Sequence, residues 1–169
     1  FGERALKEVL DALPTGTAVT YRDGIADEQW LPLPKLLSLV ETIDQRLGSD
    51  DLHLVADCGR AVAEGAFAMI RALGPPDPPP ELLLTEMPGI FNQMLKGTEC
   101  RVRSVGHGYG TLELDDLQQP ASLTLCLLLL GMLDRSLSRF GARDVEVLLI
   151  SCRDLSDDDN IFDISWLVT

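Results

Sequence analysis

The spacing of hydrophobic residues predicts helices in the first part of the chain. Up to residue 96, apolar side chains recur every three or four positions, as on the buried face of an amphipathic helix. The polar stretch before Trp30 contains an Asp23-Gly24 turn signal and is predicted to be a loop. Pro88 lies inside the last pattern, which is expected to form two short helices or one kinked helix. The four predicted helices cover residues 3–13, about 34–47, 49–73 and 81–96.

The third predicted helix carries a start signal and an unusual face. Ser49 is expected to cap it, and the two aspartates that follow are favoured at the positive end of its dipole. Gly59, Ala63 and Ala66 share one face of this helix. Three small side chains in register predict that the backbone of another element approaches closely there.

The period changes from helical to alternating after Gly97. Residues 100–105 and 111–115 alternate between the two faces of a strand. Between them lies the glycine-rich segment Gly106–Gly110, which is typical of a hairpin turn that needs positive φ angles. The sequence therefore predicts an antiparallel strand pair at this point.

One more helix and two more strands complete the pattern. Pro120 opens a long helix through Phe140, whose first three turns are apolar on every side and are expected to be buried all round. The continuous apolar run Val145–Ile150 predicts a central strand, and Phe162–Val168 alternates like a strand with one buried face. The order ααααββαββ indicates a single α+β domain over residues 1–169, with helices packed on a four-stranded, mainly antiparallel sheet.

The charge of the chain excludes several partners. Asp and Glu outnumber Lys and Arg by 27 to 14, which gives a formal net charge of −13. Such a charge argues against binding nucleic acid or an anionic membrane through bulk electrostatics. The longest charge-free apolar run, Leu123–Leu133, has 11 residues, whereas a bilayer span needs about 18. We expect a cytoplasmic protein that has no transmembrane segment and binds no nucleic acid.

The four cysteines do not form a recognisable metal or redox motif. Cys58, Cys100, Cys126 and Cys152 are scattered, and no C-x-x-C pair occurs. Each has apolar neighbours in the sequence, and a free cysteine in such a context behaves as a small buried hydrophobe. We expect four reduced thiols in the core of a cytosolic protein.

Few residues favour catalysis. The sequence contains no G-x-S-x-G, no P-loop and no G-x-G-x-x-G that opens a helix. Of the two histidines, His53 lies in the first turn of a predicted helix, where it is expected to be solvated. His107 lies between hairpin glycines, where a ligand could approach. The acidic run Asp154–Asn160 lacks the pattern of an EF-hand loop and is expected to be a solvated turn. We assign no catalytic residue, cofactor or metal site, and keep an enzyme acting through His107 as a weak alternative.

Several segments, taken in order, resemble a known ligand-binding fold. Ser122–Leu133 resembles the segment of Bet3-type TRAPP subunits that enters an embedded helix and carries a cysteine and a glycine. Val145–Cys152 and Phe162–Trp166 resemble the closing strand pair, and Cys58-Gly59-Arg60 begins a similar small-residue helix. Residues 31–168 thus resemble the fold shared by Bet3-type TRAPP subunits, V4R domains and the haem–nitric-oxide-binding-associated group. They also resemble a family of myxobacterial proteins of uncharacterised function.

This resemblance implies a non-catalytic signalling module. V4R relatives often have several cysteines late in the domain, where this chain has Asp157–Asn160. No metal site is therefore carried over from them. The first hypothesis is that a small hydrophobic ligand binds between helices and sheet. We expect it to contact Phe67, Ile90, Phe91, Met94, Leu127 and Leu130.

The second hypothesis is a dimerisation or adaptor domain that holds no ligand. Its candidate interface is the apolar stripe on the second predicted helix. The alternative is that this stripe is buried in the domain's own core. This hypothesis predicts a homodimer or a protein partner. The stripe consists of Leu36, Val40, Ile43 and Leu47.

Overall fold

The computed structural model describes residues 2–25, 31–73, 78–94, 98–116, 122–155 and 157–168. The chain divides into two compact units, Phe1–Val55 and Ala56–Thr169. The predicted α+β class is confirmed, with one helix more than expected among the described residues. The elements are α1 (Gly2–Ala12), α2 (Thr15–Arg22), α3 (Leu33–Leu47), α4 (His53–Leu73), α5 (Pro80–Met94), β1 (Thr98–Gly106), β2 (Tyr109–Asp116), α6 (Leu123–Arg139), β3 (Arg143–Ser151), a short 3-10 turn (Arg153–Leu155) and β4 (Asn160–Leu167).

The additional helix is α2, in a segment that was predicted to be a loop. That prediction is wrong for Thr15–Arg22. The carbonyl of Pro14 accepts hydrogen bonds from the amides of Thr17 and Ala18, which begins the helix, and both of these side chains are buried. Tertiary contacts in the first unit therefore outweigh the low helix propensity of glycine and threonine.

The connection between α3 and α4 is closed by a buried carboxylate. Both oxygens of Asp44 accept backbone hydrogen bonds, from the amides of Leu52 (2.8 Å) and Leu54 (2.9 Å). The predicted Ser49 cap is therefore wrong, because α4 begins at His53 and a residue of α3 satisfies its first amides. Leu52 has a φ of 65°, a left-handed conformation that is unusual for a branched side chain.

The sheet has the order β1-β2-β4-β3, and every neighbouring pair is antiparallel. The prediction that residues 145–150 form a central strand is wrong, because β4 inserts between β2 and β3 and leaves β3 at the edge. Within β3 only Val147 is buried. On β4 the predicted alternation is confirmed for Phe162, Ile164 and Trp166, which are buried, while Val168 is exposed.

Helix α5 continues through Pro88 as one element, so the option of two short helices is wrong. Proline removes one backbone donor from a helix. The helix is nevertheless maintained, because its apolar face is buried and α5 packs on β1 and β2. That face consists of Leu83, Leu84, Met87, Ile90 and Phe91.

Helices α4 and α6 approach each other at two glycines. A Cβ placed on Gly59 would lie 2.0 Å from the carbonyl oxygen of Leu128. The expected close approach of another backbone at Gly59 is confirmed. Helix α6 is not buried all round, however, because Leu127 and Leu130 are only half-buried. Its neighbours in the second unit, among them α4, α5 and β3, cover its other sides.

Candidate functional site

The six residues predicted to bind a ligand occupy different environments. Ile90 and Phe91 lie on α5 and are 2% and 1% exposed. Leu127 and Leu130 lie on α6 and are half-buried. The side chain of Met94 lies outside the described part of the structure. The set therefore combines interior residues of α5 with an accessible stripe of α6.

Phe67 belongs to a mixed aromatic and charged cluster. Its ring centroid lies 5.3 Å from that of Phe140, with the planes tilted by 42°. The guanidinium of Arg139 lies 4.6 Å from the centroid of the same ring, within the range of a cation–π contact. Glu64 forms ion pairs with Arg135 and Arg139 beside it. The contacts of Phe67 are thus those of a packing residue at the end of the α4–α6 pair.

Asn160 is a buried polar residue that the sequence analysis did not single out. Its Oδ1 accepts hydrogen bonds from Cys126 Sγ (3.6 Å) and from the backbone amide of Arg153 (3.1 Å). Its Nδ2 donates to the carbonyl oxygen of Leu114 at 3.2 Å. Asn160 therefore joins α6, β2 and the β3–β4 connection. The alternation that places Phe162 on the buried face extends to Asn160 and was the available signal.

The acidic segment before Asn160 exposes Asp154, Asp157 and Asp158, as expected of a solvated turn, and two of these carboxylates also accept backbone hydrogen bonds. Asp157 Oδ2 accepts a hydrogen bond from the amide of Cys152 at 2.7 Å. Asp154 Oδ2 accepts one from the amide of Leu123, the first residue of α6, at 2.8 Å. A carboxylate at the start of a helix is stabilised by the positive end of the helix dipole. Asp154 therefore connects the loop to the start of α6, a contact that the sequence analysis did not predict.

The cysteines are free, and three of the four are buried. Burial raises the pKa of the Cys100 thiol from 9.0 to about 12, because the charged thiolate loses its hydration. The pKa of Cys126 is also raised, first by burial and then by contact with Cys152. Both groups are protonated, poorly nucleophilic thiols at neutral pH.

Both histidines lie on the surface. His53 is exposed, and its backbone amide donates to Asp51 Oδ1 at 3.1 Å. The His107 side chain is 77% exposed, and its Nδ1 lies 3.1 Å from Glu81 Oε1. In the same hairpin, Gly108 has a φ of 83°, so the turn requires glycine for conformational reasons. A structural role therefore accounts for the glycines around His107.

The described residues contain no group of three or more His, Cys, Asp or Glu side chains arranged to hold a metal ion. None of the described helices is long and apolar enough to cross a membrane.

The stripe predicted to form an interface divides into two parts. Val40 is 2% exposed and belongs to the buried residues of the first unit. Leu36, Ile43 and Leu47 are half-buried. The burial of Val40 fits the alternative location in the chain's own core, whereas the other three side chains retain accessible surface.

Several solved structures of other proteins have a similar fold. An H-NOX (haem-nitric oxide/oxygen binding) protein from Shewanella oneidensis in the Fe(II)NO state matches 98% of this chain and 89% of its own, with a TM-score of 0.69 and 14% identity. The fold is H-NOX-like. Unliganded Fe(II) H-NOX from K. algicida matches 100% of this chain and 89% of its own, with a TM-score of 0.66 and 12% identity. A third solved structure, from a study of how protein-induced porphyrin distortion modulates haem redox potential, matches 95% of this chain and 95% of its own, with a TM-score of 0.61 and 12% identity.

The comparisons support the broader resemblance stated for the sequence. H-NOX domains belong to the wider ligand-binding fold that includes Bet3-type subunits. No protein-family model matches the chain, and no curated protein matches it. The narrower resemblance to the myxobacterial family therefore stays a prediction. At 10–14% identity the likeness concerns the fold alone.

The two histidines, Cys100, Cys126 and Tyr21 do not fit the haem that this fold family implies. Haem iron in proteins is bound by histidine, a cysteine thiolate, tyrosine, or methionine together with histidine. Both imidazoles are exposed, and the raised pKa values of Cys100 and Cys126 disfavour their thiolates. Burial raises the pKa of Tyr21, whose hydroxyl donates to the carbonyl oxygen of Lys35. A haem with one of these ligands is therefore not supported by this chain's residues.

Proposed function

We propose that residues 1–169 act as one non-catalytic signalling module that binds a small hydrophobic molecule in its helix–sheet core. The observation that carries this proposal is the match of 98% of the chain to an H-NOX protein determined with a small ligand on its iron. Since the histidines, Cys100, Cys126 and Tyr21 do not fit haem, we infer that the ligand of this module is recognised by apolar contacts. The broader resemblance to the ligand-binding fold that includes Bet3-type proteins supports a ligand-binding role.

The residues on α5 and α6 supply the chemistry that such a ligand needs. Leu127 and Leu130 leave apolar surface accessible on α6, next to buried residues of the same helix. Ile90 and Phe91 contribute an apolar interior without ionisable groups. Ligand pockets are predominantly apolar, and such a lining selects by size and shape.

The state of the reactive side chains supports the proposed non-catalytic role. The buried thiols Cys100 and Cys126 are protonated, and both histidines are exposed. His107 pairs with Glu81 on the surface, and we expect His107→Ala to leave ligand binding unchanged.

Ligand binding can be tested with the neutral fluorescent probe phenylnaphthylamine. We expect probe fluorescence to increase with the wild type and binding to weaken about tenfold in Leu127→Glu and Leu130→Glu, because a charge in an apolar site is costly. The matched control is Leu82→Glu, at an exposed position of α5. Equal affinity in all three variants, or no binding together with an adduct-free mass in native mass spectrometry, would contradict the proposal.

A dimerisation or adaptor function is the second candidate. It is supported by the accessible surface that Leu36, Ile43 and Leu47 retain on α3. Light scattering of Ile43→Glu, compared with Leu6→Glu at an exposed position of α1, tests this interface. A wild-type dimer that only Ile43→Glu dissociates would favour the adaptor function, whereas a monomeric wild type would exclude this interface.

A further inference from the structure

The outer face of the sheet carries an apolar patch beside its β3 edge. Leu148 and Ile150 on β3 are 50% and 56% exposed, although both are large aliphatic side chains. Ile161 on β4 is half-buried and shares the face of Asp163, which pairs with Leu148. We call Leu148, Ile150 and Ile161 the β3 patch.

Irregularities in β3 make this edge a poor template for another strand. The register with β4 shifts by one residue between Arg143 and Glu146, and again between Leu149 and Ser151. At the first shift Asp144 has a φ of 47°. Bulges of this kind interrupt the row of backbone donors and acceptors that an added strand would use. A partner of this edge must therefore bind through side chains.

Carboxylates flank the β3 patch. Asp163 lies directly opposite Leu148 in the register, and Glu146 precedes Leu148 by two residues on the same face. Both are exposed, and no ion pair is found for either of them within the described ranges. Asp163 accepts a hydrogen bond from the Thr111 hydroxyl, which leaves its charge uncompensated. The nearby Arg103 is already paired with two other acids.

We propose that the β3 patch docks a cationic amphipathic helix of a partner protein. The apolar face of this helix would cover Leu148, Ile150 and Ile161, and its Lys or Arg side chains would reach Glu146 and Asp163. Burying the apolar surface stabilises the complex, and the charges set its orientation and its rate of association. This inference goes beyond the ligand-binding function and does not depend on it.

The charges disfavour the other occupants of the surface. A second copy packed through the same patch would bring its Glu146 and Asp163 towards those of the first, and like charges in a symmetric contact repel. Anionic lipid headgroups would be repelled by the same carboxylates. A cationic helix matches both the apolar side chains and the two carboxylates beside them.

The test uses a synthetic Leu/Lys amphipathic helix of about 18 residues. Its binding to the full chain is measured by fluorescence anisotropy, and a Leu/Glu peptide of the same pattern serves as the charge control. We expect binding of the Lys peptide to weaken about tenfold in Leu148→Ser/Ile150→Ser, since apolar anchors carry much of the energy of such contacts. The matched control is Leu6→Ser/Val19→Ser, at exposed apolar positions of the first unit.

A second pair of variants distinguishes the local effect of Glu146 and Asp163 from the effect of the chain's overall negative charge. Glu146→Gln/Asp163→Asn is expected to weaken binding severalfold and to reduce its dependence on salt. Glu3→Gln/Glu8→Gln, at exposed positions of α1, removes the same charge elsewhere and should leave the affinity unchanged. Equal losses in both pairs, or no binding of the Lys peptide, would overturn the proposal. So would a wild-type dimer that Leu148→Ser/Ile150→Ser dissociates, because it would identify a second copy as the occupant.

Discussion

Ala56 and Gly131 are in contact through their backbones. A Cβ placed on Gly131 would lie 1.9 Å from the carbonyl oxygen of Ala56, a distance that two non-bonded heavy atoms cannot adopt. The reciprocal relation joins Gly59 on α4 to Leu128 on α6. Each helix thus presents a glycine to a carbonyl of the other, and side chains do not separate the two helices at this crossing.

Gly131→Ala is expected to lower the free energy of unfolding by about 3 kcal/mol, because neither backbone can move without disturbing a packed core. Chemical denaturation followed by circular dichroism measures the change. Gly65→Ala is the control, because a Cβ on Gly65 of α4 meets nothing within 4 Å. This control should be neutral or stabilise by about 0.5–1 kcal/mol. Similar losses in the two variants would show that the α4–α6 contact is not the cause.

Asp44→Ala should destabilise the first unit by about 3 kcal/mol. The substitution leaves the amides of Leu52 and Leu54 without their charged acceptor in a buried position. Asp44→Asn retains one acceptor oxygen and should lose about half as much. The control is Gln45→Ala, at an exposed position of the same helix, which should stay within about 0.5 kcal/mol of the wild type. An Asp44→Ala variant as stable as this control would contradict the capping role.

Ser136→Ala is expected to raise the free energy of unfolding by about 1 kcal/mol. The Ser136 hydroxyl is buried on α6 and has no hydrogen-bond partner among the described residues. Removing an unsatisfied buried polar group removes its desolvation cost. Ser138→Ala, exposed on the same helix, reports the change in helix propensity alone. Destabilisation by Ser136→Ala relative to Ser138→Ala would mean that the hydroxyl makes a bond.

Stability should fall at alkaline pH because of Cys100. Its pKa is about 12 in the folded chain and 9.0 in the reference state, so the unfolded chain releases the proton first. This contribution to stability is fully present below pH 9 and is lost as the pH rises towards 12. Denaturation midpoints measured from pH 7 to about 11 should fall less steeply in Cys100→Ala than in the wild type. Cys58→Ala is the control, and identical slopes in both variants would contradict the assignment.

The periodic segments were predictable because periodicity reports local burial. The helical pattern of α5 and the alternation of β4 each indicate one buried face, and the structure buries Phe91 and Phe162 accordingly. Helix α2 was missed because its eight residues contain no such stripe. The position of β3 was wrong because an apolar run cannot reveal which strand lies beside it.

The candidate site was likewise predictable from the sequence only in part. The burial of Ile90 and Phe91 followed from their spacing, but the packing of Phe67 on Phe140 joins residues that are distant in the chain. Asn160 was missed for a similar reason, since its partners lie on three separate elements. Long-range polar contacts of this kind leave no local pattern in the amino-acid sequence.

The amino-acid sequence by itself determined the order of the helices and strands other than α2, the antiparallel hairpin and the small-residue face of α4, because each depends on the spacing of neighbouring residues. Only the tertiary structure decided the insertion of β4 between β2 and β3, the Asp44 cap and the contact between Gly131 and Ala56. These features depend on which distant surfaces meet, and that choice minimises the free energy of the whole chain rather than of any one segment.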